Sequence, residues 1–306
     1  RPQSLGGAIL TQANDFLRLT ATTLDHSALL LQGLPVLFTH PDAWMKGAAV
    51  SFENFYNPAA RATYFAKNAT GMAEAAHDGI LFGSSEFYSA TAPEGGVMSR
   101  ILGGRFKVKS KVLKPVEWTS TGVGGVITPF QRSFDTFGDV ARFEMYKGIR
   151  GLAHTTDEMR DVADYINHMT GIMSSARLGV SSTQRNTESL LLFAPRYNRA
   201  GLALVKDIFQ GGLRGDLARE SLNHFLVSGV LSYIGITKML GQDPKLNPLP
   251  RSQGGDGSAF LTWELGGNRV GFGSWWLSLV KLFGGMVAAP CNEDGFFSMQ
   301  TVRNMF

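Results

Sequence analysis

Thr155-Thr-Asp-Glu-Met-Arg-Asp-Val-Ala-Asp-Tyr-Ile-Asn-His-Met-Thr-Gly171 is the stretch that decides the fold. Its first threonine stands three residues before a glutamate, the capping-box arrangement in which each side chain bonds the other residue's backbone N–H. Apolar residues then recur at intervals of three and four, which predicts a helix with one buried face. These residues are Met159, Val162, Ile166 and Met169. Gly171 is expected to end the helix, because glycine adopts the left-handed conformation of a helix C-terminus at little cost.

Helical spacing continues on both sides of this stretch and predicts a mainly helical, bundle-like domain. Upstream, Thr128-Pro-Phe-Gln131 is a second capping-box pattern, so a helix is expected to begin there, after a turn formed by the glycine cluster at 122–125. Downstream, Pro195 should break or kink a helix, because proline lacks the amide and its ring clashes with the preceding turn. Asp216 is expected to cap a helix that runs to about Leu240.

Further helices are predicted over residues 5–23, from His40 to Gly79 with a break near Pro58, and from Trp275 to Val287. Two short segments predict a small β element. Arg105-Phe-Lys-Val-Lys-Ser-Lys-Val112 alternates basic and apolar residues, which is typical of a half-buried strand near 105–112. A hairpin is expected near 259–273, where two apolar runs flank Gly266-Gly-Asn268.

The length of 306 residues is sufficient for a full hydrophobic core without disulfides. We expect residues 1–306 to form one helical module, with a subdivision into 1–127 and 128–306 as the alternative. The chain begins Arg1-Pro2 and shows no secretory leader, which indicates a fragment of a larger polypeptide. Charged residues are only 18% and glycines number 36, a mixture that favours a closely packed assembly component.

Motifs for catalysis and cofactor binding are missing from the sequence. Cys291 is the only cysteine, which excludes an intrachain disulfide and zinc sites with two thiolates. The six histidines form no recognised ligand spacing, and Asp157, Asp161 and Asp164 are interpreted as a solvated helix face rather than a cation site. We therefore expect no catalytic, cofactor or metal residues, and no deep, partly dry cleft in which three or more ionisable side chains meet.

The net charge of +4 is unevenly placed: it is −2 over residues 1–100, +5 over 101–152 and +1 over the remainder. The predicted strand contributes a basic row, namely Arg105, Lys107, Lys109 and Lys111. Such a row could contact the phosphates of nucleic acid. The alternative, which the lack of interleaved aromatic residues favours, is that the lysines protect an exposed sheet edge from mispairing.

Two apolar segments raise the question of membrane contact. Ser221–Thr237 carries no formal charge, and Phe272–Val287 carries only Lys281. Both are marginal in length for a span, and the first contains Asn223 and His224, so burial in a protein core is the favoured interpretation. Insertion at the membrane surface is the alternative.

Three blocks, in their order and spacing, resemble the large polyvalent protein-associated domains of bacteriophages, in particular the type numbered thirty-eight. The blocks are Leu24-Asp-His-Ser-Ala-Leu-Leu-Leu-Gln-Gly33, Ile166-Asn-His-Met-Thr-Gly171 and Phe193-Ala-Pro-Arg-Tyr-Asn-Arg199. An apolar helix and Trp263-Glu-Leu-Gly-Gly-Asn-Arg269 follow, so the resemblance covers roughly residues 15 to 290. In that family Arg often follows the Thr-Gly pair, whereas Ile172 stands here, which weakens any role for a basic residue at this position.

The resemblance implies a non-enzymatic module of a phage virion protein, internal to the particle or ejected with the genome, and it defines no catalytic residues. It implies other virion proteins or sister copies as partners, and location in the virion, then in the host envelope or cytoplasm. The alternatives are an accessory domain of a phage enzyme (a virion RNA polymerase or a cell-wall hydrolase) and a membrane-associated conduit. The interface candidates are Arg196, Tyr197, Arg199, Trp275 and Trp276, since aromatic and arginine side chains dominate interface energetics.

Overall fold

A computed structural model describes residues 33–83, 114–173 and 195–271, apart from positions 248, 250, 252 and 253. Of these residues 72% are helical, and a two-stranded antiparallel sheet accompanies the helices, so the mainly helical prediction with a small β element is confirmed. The predicted strand at 105–112 and the predicted helices at 5–23 and Trp275–Val287 lie outside the described residues.

The described residues contain eight α-helices and two short 3-10 helices. The α-helices are α1 (Leu34–Thr39), α2 (Pro41–Tyr56), α3 (Ala60–Lys67), α4 (Ala69–Asp78), α5 (Lys114–Ile149), α6 (Thr156–Met169), α7 (Pro195–Ile208) and α8 (Gly212–Met239). The 3-10 turns are Arg150–Leu152 and Gly257–Ala259, and the strands are β1 (Thr262–Leu265) and β2 (Asn268–Gly271). The chain divides into two compact units, Arg1–Arg219 and Glu220–Phe306, which are described separately below.

The first unit is built on the packing of α2 against α5. Small and polar residues of α2 face α5, where Gly47 lies so close to Phe137 that an added Cβ would stand 3.1 Å from the ring. Ser51 hydrogen bonds to Ser133, with 2.7 Å between the two hydroxyl oxygens, and Asn54 Nδ2 donates to Thr136 Oγ1 at 2.7 Å. These buried polar bonds fix one register between the two helices, because a slip would leave the buried groups unpaired.

The helix start predicted at Thr128 is wrong. α5 begins at Lys114 and continues through the glycine cluster at 122–125 and through Pro129. Extending an existing helix adds one backbone hydrogen bond for each residue. Pro129 removes only one of these bonds and causes a local ring clash, so its cost is smaller than the gain from continuing the helix. The glycine cluster is therefore part of a helix rather than a turn.

The capping box predicted for α6 is confirmed. Thr155 Oγ1 accepts a hydrogen bond from the Glu158 N–H at 3.2 Å, and the Glu158 carboxylate accepts from the N–H groups of His154 (2.7 Å) and Thr155 (3.0 Å). These backbone bonds, the one from His154 first, hold the pKa of Glu158 below its usual value. Gly171 has the predicted left-handed conformation, with φ of 75°.

The other helix boundaries follow the prediction in part. The break near Pro58 is confirmed between α2 and α3, and a further interruption at Asn68 separates α3 from α4. The assignment of Asp216 as a cap is wrong, since α8 already begins at Gly212 and Asp216 instead pairs with Arg219 at 2.6 Å. An arginine one turn ahead offers the carboxylate a stronger partner than a backbone amide.

The second unit contains the predicted hairpin. Strands β1 and β2 pair in antiparallel register, with Leu265 opposite Asn268. Gly266 and Gly267 form the turn, with φ of 58° and 81°. A type I′ turn requires positive φ at both central residues, and its twist matches the twist of the paired strands. Strand β1 is anchored to α8, because Trp263 Nε1 donates a hydrogen bond to Thr237 Oγ1 at 2.9 Å and the Trp263 ring packs against Tyr233.

A buried ionic cluster lies on α5 in the first unit. The Asp139 carboxylate accepts hydrogen bonds from Arg61, from Arg142 at 2.6 Å and from the Gly83 N–H at 2.9 Å. Asp135 lies one turn away and is partly buried. Burial first, and then the negative charge of Asp139, raise the pKa of Asp135 to about 7, against the lowering effect of the two arginines.

We predict that Thr155→Ala lowers the free energy of unfolding by about 1 kcal/mol, because it removes the oxygen that accepts from Glu158 N–H at the start of α6. Urea denaturation followed by circular dichroism measures the loss. Thr156→Ala is the matched control, since Thr156 is the exposed neighbouring threonine outside the capping box and should change stability little. Equal losses in the two variants would contradict the role of the box.

We also predict that Asp135 makes the protein less stable as pH rises. The carboxyl has a pKa of 3.8 when unfolded and about 7 when folded, so between these values the folded chain holds a proton that the unfolded chain has lost. The free energy of unfolding should therefore decline between about pH 4 and 7, and Asp135→Asn should make that decline shallower. Denaturation curves across this range test it, with exposed Asp42→Asn as control; parallel wild-type and Asp135→Asn profiles would refute it.

Candidate functional site

A cavity of about 240 Å³ in the first unit lies where α6, α7 and the first turn of α8 meet. Its wall combines ionisable and amide side chains with a smaller apolar part. The lining residues are Leu81, Asp164, Asn167, His168, Ile172, Met173, Ala203, Lys206, Asp207, Gln210 and Arg214. We treat this cavity, called the α6–α7–α8 pocket, as the candidate functional site.

Local backbone features place the walls of the pocket. Asn167 in α6 donates to the Gly79 carbonyl at 2.9 Å and accepts from the Leu81 N–H at 3.0 Å, which ties α6 to the segment that follows α4. Three residues, 209–211, connect α7 to α8. At Gly215 an added Cβ would stand 2.1 Å from the Gln210 carbonyl oxygen, so only glycine allows the first turn of α8 to pass this close.

The centre of the pocket is a histidine–carboxylate pair. His168 Nδ1 lies 2.6 Å from Asp207 Oδ2, and the two side chains are only 10% and 3% exposed. A carboxylate only accepts hydrogen bonds, so the proton of this bond is on Nδ1. When the ring is neutral, its lone pair is then on Nε2, which makes Nε2 a hydrogen-bond acceptor.

Arg214 joins this pair to α6. Its Nε lies 3.3 Å from Asp207 Oδ1, its Nη1 donates to Asp164 at 3.1 Å, and its Nε is also 3.8 Å from Asp161 Oδ1. The Gln210 side-chain oxygen accepts further bonds from the same guanidinium. One guanidinium therefore serves three carboxylates from two helices, and partial burial still raises the pKa of Asp161 despite the arginine.

The pocket brings together several ionisable side chains, among them His168, Asp207 and Arg214, which the sequence patterns did not predict. Asp161 and Asp164 keep 36% and 38% of their side-chain surface exposed and also contact Arg214, whereas Asp157 is more exposed and pairs with Arg160 at 3.2 Å. His168 and Asp207 are 39 residues apart, so no spacing rule links them. The available signal was that Asp161, Asp164 and His168 share one face of α6.

The interface candidates named from sequence are only partly described. Arg196 and Tyr197 belong to the first turn of α7, and Arg199 follows on the same helix, partly buried. Trp275 and Trp276 lie outside the described residues, as do the basic positions Arg105, Lys107, Lys109 and Lys111. Arg199, whose side chain is described, does not line the pocket.

The described part of the chain contains no set of three or more histidine, cysteine, aspartate or glutamate side chains placed to hold a metal ion. Within the same residues, no helix is both long and apolar enough to span a membrane. Family models, curated proteins and solved structures provide no match to this chain.

We predict that Arg214→Gln lowers the free energy of unfolding by about 1–3 kcal/mol, because it removes a charged partner from the almost fully buried Asp207. Urea denaturation measures this loss. Arg160→Gln is the matched control: its only described carboxylate partner, Asp157, is exposed, and such a surface pair contributes little. If both variants unfold at the same urea concentration, Arg214 does not stabilise the three-helix junction.

Proposed function

We propose that the chain is a non-enzymatic structural and interaction module of a bacteriophage virion protein, internal to the particle or ejected with the genome. Its partners are other virion proteins or sister copies. It resides in the virion and, after delivery, in the host envelope or cytoplasm. The order of sequence blocks that resembles the large polyvalent protein-associated domains supports the phage assignment.

The observation that carries the interaction role is the exposure of large apolar side chains on outer helix faces. In the first unit, Tyr56 at the end of α2 is 83% exposed, and Phe209, in the connection between α7 and α8, is 76% exposed. Met45, Phe52 and Tyr56 are exposed along the face of α2 opposite to the one that packs on α5. Large apolar side chains that share one exposed helix face are suited to protein association.

The second unit has the same character. Leu231 and Met239 on α8 are exposed, the latter to 87%, and Leu265 and Val270 of the hairpin are exposed as well. α8 carries no formal charge between Ser221 and Thr237, yet it buries only one row of residues, which includes Phe225 and Tyr233. An apolar helix that is covered on one side only is suited to packing against a neighbouring chain.

The pairing within the α6–α7–α8 pocket supports a structural role for its charged groups. Asp207 is shared between His168 and Arg214, and Arg214 is shared among three carboxylates and Gln210. Charges paired in this way hold helices together.

The test is mass spectrometry of purified phage particles, before and after genome release is triggered. Peptides from this chain are expected in full particles and reduced in emptied ones, while the major capsid protein is retained in both and serves as the control. A phage replication protein made in the same infection controls for contamination. Detection of the chain in infected cells but not in purified particles would remove the proposal.

A further inference from the structure

His168 offers one hydrogen-bonding atom that the fold does not use. Its Nδ1 is bonded to Asp207, whereas Nε2 has no hydrogen-bond partner among the described residues. The imidazole side chain is 10% exposed and lines the α6–α7–α8 pocket. The pocket therefore presents an acceptor to whatever enters it.

The neighbours of the His168 ring determine which ring nitrogen carries the proton. Asp207 holds the proton on Nδ1, and Arg214 holds Asp207 through its other carboxylate oxygen, Oδ1. A carboxylate behind a histidine sets the tautomer and the ring orientation. In the neutral ring, Nε2 therefore receives a hydrogen bond rather than donating one.

The other residues that line the pocket indicate the size and polarity of a suitable ligand. Leu81, Ile172, Met173 and Ala203 supply apolar surface, and a methionine thioether contacts aromatic rings favourably. Lys206 and Arg214 also line the pocket, and cations attract the face of an aromatic ring. A volume of about 240 Å³ is below that of pockets for drug-sized molecules and suits a single ring.

The charge balance of the pocket favours a neutral ligand. A ligand carboxylate would gain from Arg214 but would lie against Asp207, which that arginine already serves. A ligand ammonium would be attracted by Asp207 but repelled by Arg214 and Lys206. A neutral O–H donor satisfies Nε2 and leaves the existing ion pairs intact.

We propose that the α6–α7–α8 pocket binds a phenolic ring whose O–H donates a hydrogen bond to His168 Nε2. The ring lies against Met173 and the other apolar residues of the wall. The two sources of this chemistry are a free phenol and the tyrosine side chain of a polypeptide. The inference does not rest on the phage assignment, because it uses only contacts within the first unit.

The experiment follows the histidine ring signals of the full chain by NMR, with p-cresol as the probe. 4-Methylanisole is the matched control ligand, since a methyl ether replaces the O–H donor on the same ring. We expect p-cresol to shift the His168 signals saturably and to bind about tenfold more tightly than 4-methylanisole, the effect of one hydrogen bond. N-acetyltyrosinamide in parallel shows whether a tyrosine within a polypeptide enters the same site.

Three variants make the result specific. Asp207→Asn lets an amide donate to Nδ1, so Nε2 can carry the proton, and the preference for p-cresol over 4-methylanisole should be lost. Asp157→Asn, at an exposed position of α6, should keep it. Ala203→Phe fills the pocket without changing an ionisable group and should abolish binding of both compounds, which tests the site even if Asp207→Asn unfolds.

Three outcomes would overturn the proposal. One is the absence of any shift of His168 at the highest soluble concentration of p-cresol. Another is equal affinity for p-cresol and 4-methylanisole. The third is unchanged p-cresol binding in Ala203→Phe. Detection or absence of the chain in phage particles affects none of these readouts, so the two proposals fail separately.

Discussion

In the first unit, the helices around the α6–α7–α8 pocket are held together by the partners of one buried carboxylate, Asp207. Asp207 is 3% exposed, and an unpaired charge at such a position costs several kcal/mol. His168 from α6 and Arg214 from α8 provide the compensation. Three helices are therefore held at one point by electrostatics and hydrogen bonds, and the same contacts set the tautomer of the histidine that faces the cavity.

A second buried carboxylate, Asp139 on α5, also requires charged partners. Asp139 is buried between Arg142 on its own helix and Arg61 on α3, and it also accepts a bond from the Gly83 N–H. The buried face of α2 uses serine and asparagine to contact α5, where close approach leaves no room for large side chains at Gly47. Polar and ionic contacts thus fix relative helix positions, while apolar faces remain available outside.

The contrast between the two faces of α2 and α8 connects the fold to the proposed function. α2 buries mainly small and polar residues, whereas α8 buries larger ones such as Phe225 and Tyr233, and both helices also expose large apolar residues, among them Tyr56 and Met239. This distribution is unfavourable for a chain that stays alone in water, and it is favourable when neighbouring chains cover the exposed faces. The pocket proposed to bind a phenolic ring is a separate and smaller feature of the first unit.

The sequence by itself determined the features that depend on neighbouring residues. The capping box of α6, the glycine turn of the hairpin and the interruption near Pro58 are local in this sense, because backbone dihedral preferences and hydrogen bonds within a few residues decide them. Only the tertiary structure decided that α5 continues through Pro129 and that His168 meets Asp207. Those outcomes depend on packing between residues far apart in the chain, and on the cost of leaving a charge buried without a partner, neither of which a local pattern records.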